Sequence, residues 1–465
     1  MHRLKSLSFF PLSLFILFFA TAMVLQACGG PSTSGSSSGP VTITVAFEQF
    51  GPPPYPETAW WTAVKQRVEA ANPNIKVKLE PIVAAEGDYY TKLDLQMRSA
   101  STAPDLVRED SFLVSSDVTA GYLAPLDSYL PSWPEYTQQW FPAMQKITTF
   151  NGHNYGVMDG TDDRLVWYNK SVFQKAGLPT TWQPQSWADI LSAARTIKAK
   201  VPGVIPMNLY SGVPADEASS MQGFEMLLYG TKNPLYDYKT SKWIAPSQGL
   251  LDALNFVKTV YNPSDLLGPT NDIALSTTAG NTIEQQLMPQ GKVGIDISGS
   301  WVSSDWYPGG PAPWPQWQQT MGEAKMPTQF GQAPNNVTLS GGWAYSLTAK
   351  SPHPAQAFTV LKTAFSTDLL ATYDVAAGQV TPDQAIVNVP AYQNAPLSQF
   401  YTSLLSFAQF RPAFVEYPKI SLQIDQAMQN VMQGQSASQA MSSFTQAVAN
   451  ICSSAQSPCS LEPGT

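Results

Sequence analysis

Val41-Thr42-Ile43-Thr44-Val45-Ala46-Phe47, followed by residues 57–71 and then 75–83, is the stretch that decides the fold. The first segment alternates in polarity like a strand. The second carries apolar residues at helical spacing until Asn72-Pro73 stops it, and the third reads as a strand again. Residues 89–101 continue as a helix, and Pro104-Asp105-Leu106-Val107 as a short buried strand. Strands that alternate with helices predict an α/β fold with largely parallel pairing. Ligands bind such sheets at the carboxyl ends of the strands. The loops expected there are Glu48-Gln49-Phe50 and Arg108-Glu109-Asp110.

The pattern recurs further along. Residues 164–169 and 205–209 read as strands, and Ser186-Trp187-Ala188-Asp189 opens a helix to about residue 200 with a start like a capping box. Helical stretches cover 218–228, 246–261 and 282–288, with strands at 292–297 and 343–347 and a helix at 354–365. Two amphipathic helices, 417–432 and 436–451, lie either side of Gly434. From Val41 onward roughly 425 residues remain, too many for one ordinary core, so two lobes are expected.

The first forty residues are of another kind. His2, Arg3 and Lys5 precede an uncharged apolar run, the pattern of a signal peptide over 1–27. Leu25-Gln26-Ala27-Cys28-Gly29 resembles a bacterial lipobox, which implies a diacylglycerol-bearing Cys28 and attachment to the outer face of the cytoplasmic membrane. A retained transmembrane anchor is the rival reading. Residues 28–40 carry almost nothing but Gly, Ser and Pro and read as a flexible tether. Within it Gly35-Ser36-Ser37-Ser38-Gly39 matches the serine-hydrolase elbow in letters only, since no strand or helix flanks it.

Composition narrows the function. Without Arg3 and Lys5 the chain keeps 24 basic against 34 acidic residues, a net charge of −10, which disfavours nucleic acid as a partner. Only His153 and His353 remain outside the leader, and neither C-x-x-C nor H-E-x-x-H occurs, so no metal site or cofactor is expected. With Cys28 acylated, Cys452 and Cys459 are left as a pair that export favours as a disulfide.

Several segments in shared order resemble the extracellular solute-binding proteins of ABC importers, in the sugar-binding branch that includes maltose-binding protein. They are Ala103-Pro104-Asp105-Leu106-Val107, Gly152-His153-Asn154-Tyr155-Gly156-Val157, Trp167-Tyr168-Asn169-Lys170 and Phe173-Gln174-Lys175-Ala176-Gly177-Leu178. Ser186-Trp187-Ala188-Asp189-Ile190, Gly291-Lys292-Val293-Gly294-Ile295, Gly299-Ser300-Trp301 and Ser340-Gly341-Gly342-Trp343 follow. The resemblance implies a two-lobed periplasmic-binding-protein fold whose lobes are discontinuous. One comprises residues 41–158 plus 341–398, the other 159–339 plus 399–465. Three crossings form the hinge, which closes on ligand. It also implies a monomer that binds a sugar, performs no chemistry, and docks on a membrane permease.

A neutral sugar offers hydroxyls and an apolar C–H face, so its site needs aromatic plates beside carboxylates and guanidinium groups. Trp301 matches the family's stacking tryptophan. Asp159, Asp162, Asp163 and Arg164 cluster at the first expected crossing, as hydroxyl partners or as a solvated or internally paired turn. Asp110 and Glu48 follow strands at their carboxyl ends. Gly342, with Gly341, admits a close backbone approach, with Trp343 as a second plate or the whole as a hinge turn. Arg411 is a ligand donor or a hinge ion pair. Residues 305–319, rich in Trp, Pro and Gly, depart from the maltose-binding pattern and are expected to act as a lid. Two other readings compete: a glycosidase using two of these carboxylates, and the same fold holding an oligopeptide or polyamine.

Overall fold

Ile43 and Val45 are buried while Thr42 is exposed, and Val45 to Glu48 are then buried without a break, so the first strand begins half covered and runs into the interior. The computed structural model describes residues 39–454 and 458–464. The leader, Cys28 and most of the tether lie outside the described residues. In chain order the principal strands are β1 (Val41–Gln49), β2 (Ile75–Val83), β3 (Leu106–Asp110), β4 (Gly156–Met158), β5 (Arg164–Asn169) and β6 (Ile205–Asn208). They continue as β7 (Val293–Gly299), β8 (Met321–Ala324), β9 (Asn336–Ser340), β10 (Trp343–Leu347) and β11 (Ala408–Phe410). The helices used below are α1 (Pro56–Ala71), α2 (Glu86–Met97), α3 (Trp187–Lys200), α4 (Gln248–Val260), α5 (Val302–Asp305), α6 (Thr367–Ala377), α7 (Tyr417–Met432) and α8 (Ala437–Cys452).

One sheet has the order β2-β1-β3-β10-β4 and the other β8-β5-β7-β6. Each has its own apolar core. The first gathers Trp60, Trp61, Tyr345 and Phe365; the second gathers Phe173, Trp187, Phe256 and the inner faces of α7 and α8. The expectation of largely parallel pairing needs correction. β1 is parallel to β2 and β3, but β10 is antiparallel to both β3 and β4, and β5 is antiparallel to β7 and β8. The cause is connectivity: β10 enters the first sheet directly from β9, which pairs outside that sheet, so its direction is not set by a βαβ return.

Three chain segments meet at the waist. β9 runs parallel to β11 from Thr338↔Ala408 to Ser340↔Phe410, and Asp163 forms an antiparallel bridge with Ser340. Gly342 then carries the chain into β10 at φ +115, a left-handed conformation. A side chain there would meet Thr161 Cα at 3.1 Å.

Other boundaries move for local reasons. The third strand is Leu106–Asp110, not 104–107, and Glu48 and Gln49 lie within β1, so the two expected loops are mostly strand. The Asp105 carboxylate accepts from Thr44 N–H and Ser351 Oγ just before β3 starts. The helix expected at 89–101 is Glu86–Met97. At α3, Ser186 does not cap through its own oxygen; Asp189 accepts from Gln185 N–H and Ser186 Oγ. Two expected helices are largely π-helical, Ser219–Glu225 and Asn281–Leu287. Such wide turns are frequent at functional sites.

No helix among the described residues is long and apolar enough to cross a membrane. Cys452, closing α8, is disulfide-bonded to Cys459. Just beyond it Leu461–Glu462 pairs with Lys242–Ile244. Chain-entropy reasoning gives so short a loop about 2–3 kcal/mol. The double replacement Cys452→Ser/Cys459→Ser should lower the thermal midpoint by only about 2–4 °C. Calorimetric scans with and without reductant check this.

Candidate functional site

Three arginines, Arg108, Arg164 and Arg411, are buried at the waist. A guanidinium group out of water needs both counter-charge and donor partners. Each of the three is supplied with both, and each lies over an aromatic ring.

Arg108, in the middle of β3, pairs with Glu48 from β1. Its Nε donates to Asp159 Oδ2 at 2.6 Å, and its Nη2 to Tyr373 Oη at 2.6 Å. Glu57 lies 3.4 Å from Nη1. The guanidinium carbon is 5.1 Å from the centre of the Trp343 ring. Arg164, opening β5, pairs with Asp162, and its Nε donates to Gln222 Oε1 at 3.2 Å. It lies 4.9 Å from the Trp301 ring centre. Arg411, just past β11, pairs with Asp110 and donates to Glu217 Oε2 at 2.8 Å, 4.5 Å from the Phe112 ring centre. Cation–π contact of this kind is strengthened by desolvation.

The structure thus sorts the expected site residues. Trp301 sits at the head of α5, half-buried, and its indole lies back over Gly299, where a side chain would overlap it. Trp343 is also half-buried, in a cluster with Phe50 at 5.8 Å, Tyr89 at 5.9 Å and Tyr90 at 6.0 Å. Asp162 and Arg164 stand together beside Gly341, whose N–H donates to Asp162 Oδ1 at 2.9 Å. Gly342 donates closeness and no side chain, with its carbonyl accepting from Ser111 N–H at 3.1 Å. Asp110 and Arg411 form one ion pair. Glu48 and Asp159 belong to Arg108, and Asp163 accepts from Ser340 Oγ at 2.5 Å. Asp159 and Asp163 have no exposed surface.

Burial acts on these acids. It pushes Asp159 up to about 6 against the pull of Arg108, Asp163 up to about 7, and Glu57 up to about 7.

Sequence reasoning missed Arg108 as an organising residue, together with Glu57, Tyr90, Phe112, Glu217 and Gln222. One signal was present: a lone cation within a strand of buried neighbours demands acidic partners. The segment 305–319 is anchored by its tryptophans. Trp306 and Trp317 are buried against Trp167, with ring centroids 5.4 and 6.4 Å away, and Trp306 Nε1 donates to the Glu284 carbonyl at 2.9 Å. Trp301 packs on this same cluster, so the segment braces the plate from behind.

Residues 53–371 match the profile of the bacterial extracellular solute-binding proteins. A binding protein of Brucella abortus is 26% identical over 404 residues, which cover 86% of this chain and 90% of that one. In structure the chain resembles the GacH receptor of Streptomyces glaucescens, solved unliganded and with acarbose, at a TM-score of 0.74 and 22% identity, over 88% of this chain and 98% of that one. It also resembles an ABC transporter solute-binding protein of Thermotoga lettingae bound with α-D-tagatose, at a TM-score of 0.73 and 23% identity, over 89% and 99%. These likenesses establish the two-lobed α/β architecture, and the profile match over most of the chain establishes membership: the chain belongs to the bacterial extracellular solute-binding protein family.

Proposed function

We propose that the chain is an extracytoplasmic receptor that captures a carbohydrate between its lobes and delivers it to the permease of an ABC importer. The observation that carries this reading is the pair of half-buried tryptophans, Trp301 and Trp343, each held against a buried guanidinium group and bordered by carboxylates. An indole face suits the C–H face of a pyranose, and the Asp162–Arg164 and Asp110–Arg411 pairs suit its hydroxyls. The relatives solved with acarbose and with tagatose support the same ligand class.

In this reading Trp301, Trp343, Asp162, Arg164, Asp110 and Arg411 meet the ligand. Glu48, Asp159, Asp163 and Gly342 hold the hinge in the shape that presents them. The lobes are those drawn by the crossings, residues 41–158 with 341–398 and 159–339 with 399–465. Two aromatic plates at about 1 kcal/mol each beyond area burial, with several charge-assisted hydrogen bonds, are enough after association costs for micromolar affinity, about −8 kcal/mol. The closed form is populated because the ligand touches both lobes only there. Leu25-Gln26-Ala27-Cys28-Gly29 supports a cleaved leader and a lipid anchor on Cys28, with the Gly/Ser/Pro tether giving the folded part reach. A second reading, a cationic oligopeptide or polyamine in the same cleft, is favoured by the surplus of carboxylates over three arginines at the waist.

Calorimetric titration of the chain from Val41 onward with mono-, di- and oligosaccharides should find one binder at micromolar affinity without hydrolysis. Trp301→Ala should weaken it at least tenfold, about 1.4 kcal/mol. Gly299→Val, which displaces the indole, should weaken it comparably. Binding that instead appears only with polyamines or basic peptides, and falls steeply with salt, would transfer the assignment to the second reading. In cells, Cys28→Ala should release the chain from the membrane fraction, checked by fractionation and lipid labelling.

A further inference from the structure

Two glycines that follow neighbouring strands are bare for a reason that lies elsewhere in the chain. Gly51 comes just past β1, and Gly87 past β2, in the first turn of α2. A side-chain carbon built on Gly51 would lie 3.0 Å from Asn281 Nδ2 and 3.4 Å from its Cγ. One built on Gly87 would overlap the Asp216 carboxylate and lie 3.4 Å from its Cγ. Apart from chain neighbours and its own helix, no other described residue comes within 4 Å of that carbon.

Gly51 has a left-handed backbone at φ +67, which by itself suits glycine; Gly87 does not. Glycine is a poor helix former, and nothing packed around α2 asks for one at 87 except Asp216. Asp216 adopts φ +50, which few residues with a side chain accept, and stands just ahead of the Ser219–Glu225 π-helix. Asn281 opens the other π-helix, Asn281–Leu287. Each π-helical segment thus sets one polar side chain against one glycine.

On the lobe boundaries proposed above, both contacts run between lobes, since Gly51 and Gly87 fall in residues 41–158 and Asp216 and Asn281 in residues 159–339. None of the four belongs to a crossing. Gly51 is exposed and the other three are half-buried, so the contacts can part and re-form without opening an apolar core.

We infer that Gly51 and Gly87 are the closing seat of the receptor: positioning residues kept bare so that Asn281 and Asp216 come down on them when the lobes shut. The inference rests on the hinged-receptor reading and not on the identity of the saccharide. A side chain at 87 holds the lobes apart, and a receptor loses affinity in proportion to the fraction of molecules that can no longer close.

The test traps closure in the ligand-free full chain. Under mild oxidation Gly87→Cys/Asp216→Cys should link positions 87 and 216, detected by peptide mass mapping, while the mismatched pair Gly87→Cys/Asn281→Cys should not link. Gly51→Cys/Asn281→Cys should link as well. Gly87→Leu added to that second pair should slow its linking about tenfold, and Asp216→Gly added in turn, which removes the obstructing carboxylate, should restore the rate. Thermal midpoints should stay near the parent's, since leucine is the better helix former. The chain locked through 87 and 216 should bind none of the mono-, di- and oligosaccharide panel, and its reduced form should bind as the parent does. A missing 87–216 link, a Gly87→Leu chain that links 51 to 281 as fast as before, or a locked chain that takes up a saccharide as its reduced form does overturns the seat. Links that form, slow and recover as stated, with no saccharide bound by the reduced chain, uphold the seat and sink the sugar assignment alone.

Discussion

A guanidinium group removed from water is stable only where carboxylates, neutral acceptors and a ring face converge on it, and this chain meets that demand three times at its waist. Arg108 ties β1, β3 and the first crossing to α6 through Glu48, Asp159 and Tyr373. Arg164 ties the first crossing to the Ser219–Glu225 π-helix through Asp162 and Gln222. Arg411 ties the segment after β11 to the end of β3 and to the segment before the Ser219–Glu225 π-helix through Asp110 and Glu217. Breaking any one of these pairs would strand a buried charge, a more severe change than any single hydrogen bond contributes. These segments are thus held together by charge, while each sheet has its own apolar core.

The same arrangement positions two tryptophans. A buried cation stabilises the aromatic ring above it, so Trp301 and Trp343 are held by Arg164 and Arg108. Behind Trp301 the tryptophan-rich segment packs on Trp167, which turns a stretch that looks like an exposed loop into a rigid backing. Gly299 and Gly342 serve the plan by absence: one leaves room for an indole, the other for the backbone of a neighbouring crossing.

The legible parts of this fold are those in which one face of an element is wet. β2 and the helix α7 have the bounds that alternation and helical spacing indicate, because a half-exposed element prints its period on the sequence. The misread parts are those in which polar residues are buried by pairing. Arg108-Glu109-Asp110 looks like a solvated loop because three charges in a row are usually wet, yet it is the carboxyl half of β3, with Trp343 opposite Asp110. The antiparallel entry of β10 was equally hidden, since strand direction depends on where the chain comes from and not on what its residues prefer.

The sequence by itself determined the α/β class, the need for two cores, the acidic surface, the paired cysteines and the family resemblance, because composition, periodicity and ordered motifs are local properties. Only the tertiary structure decided which carboxylate meets which arginine and that Asp159 and Asp163 are closed to solvent. Those are contacts between residues up to three hundred positions apart. Their energies depend on burial and on neighbours, neither of which any one stretch of chain contains.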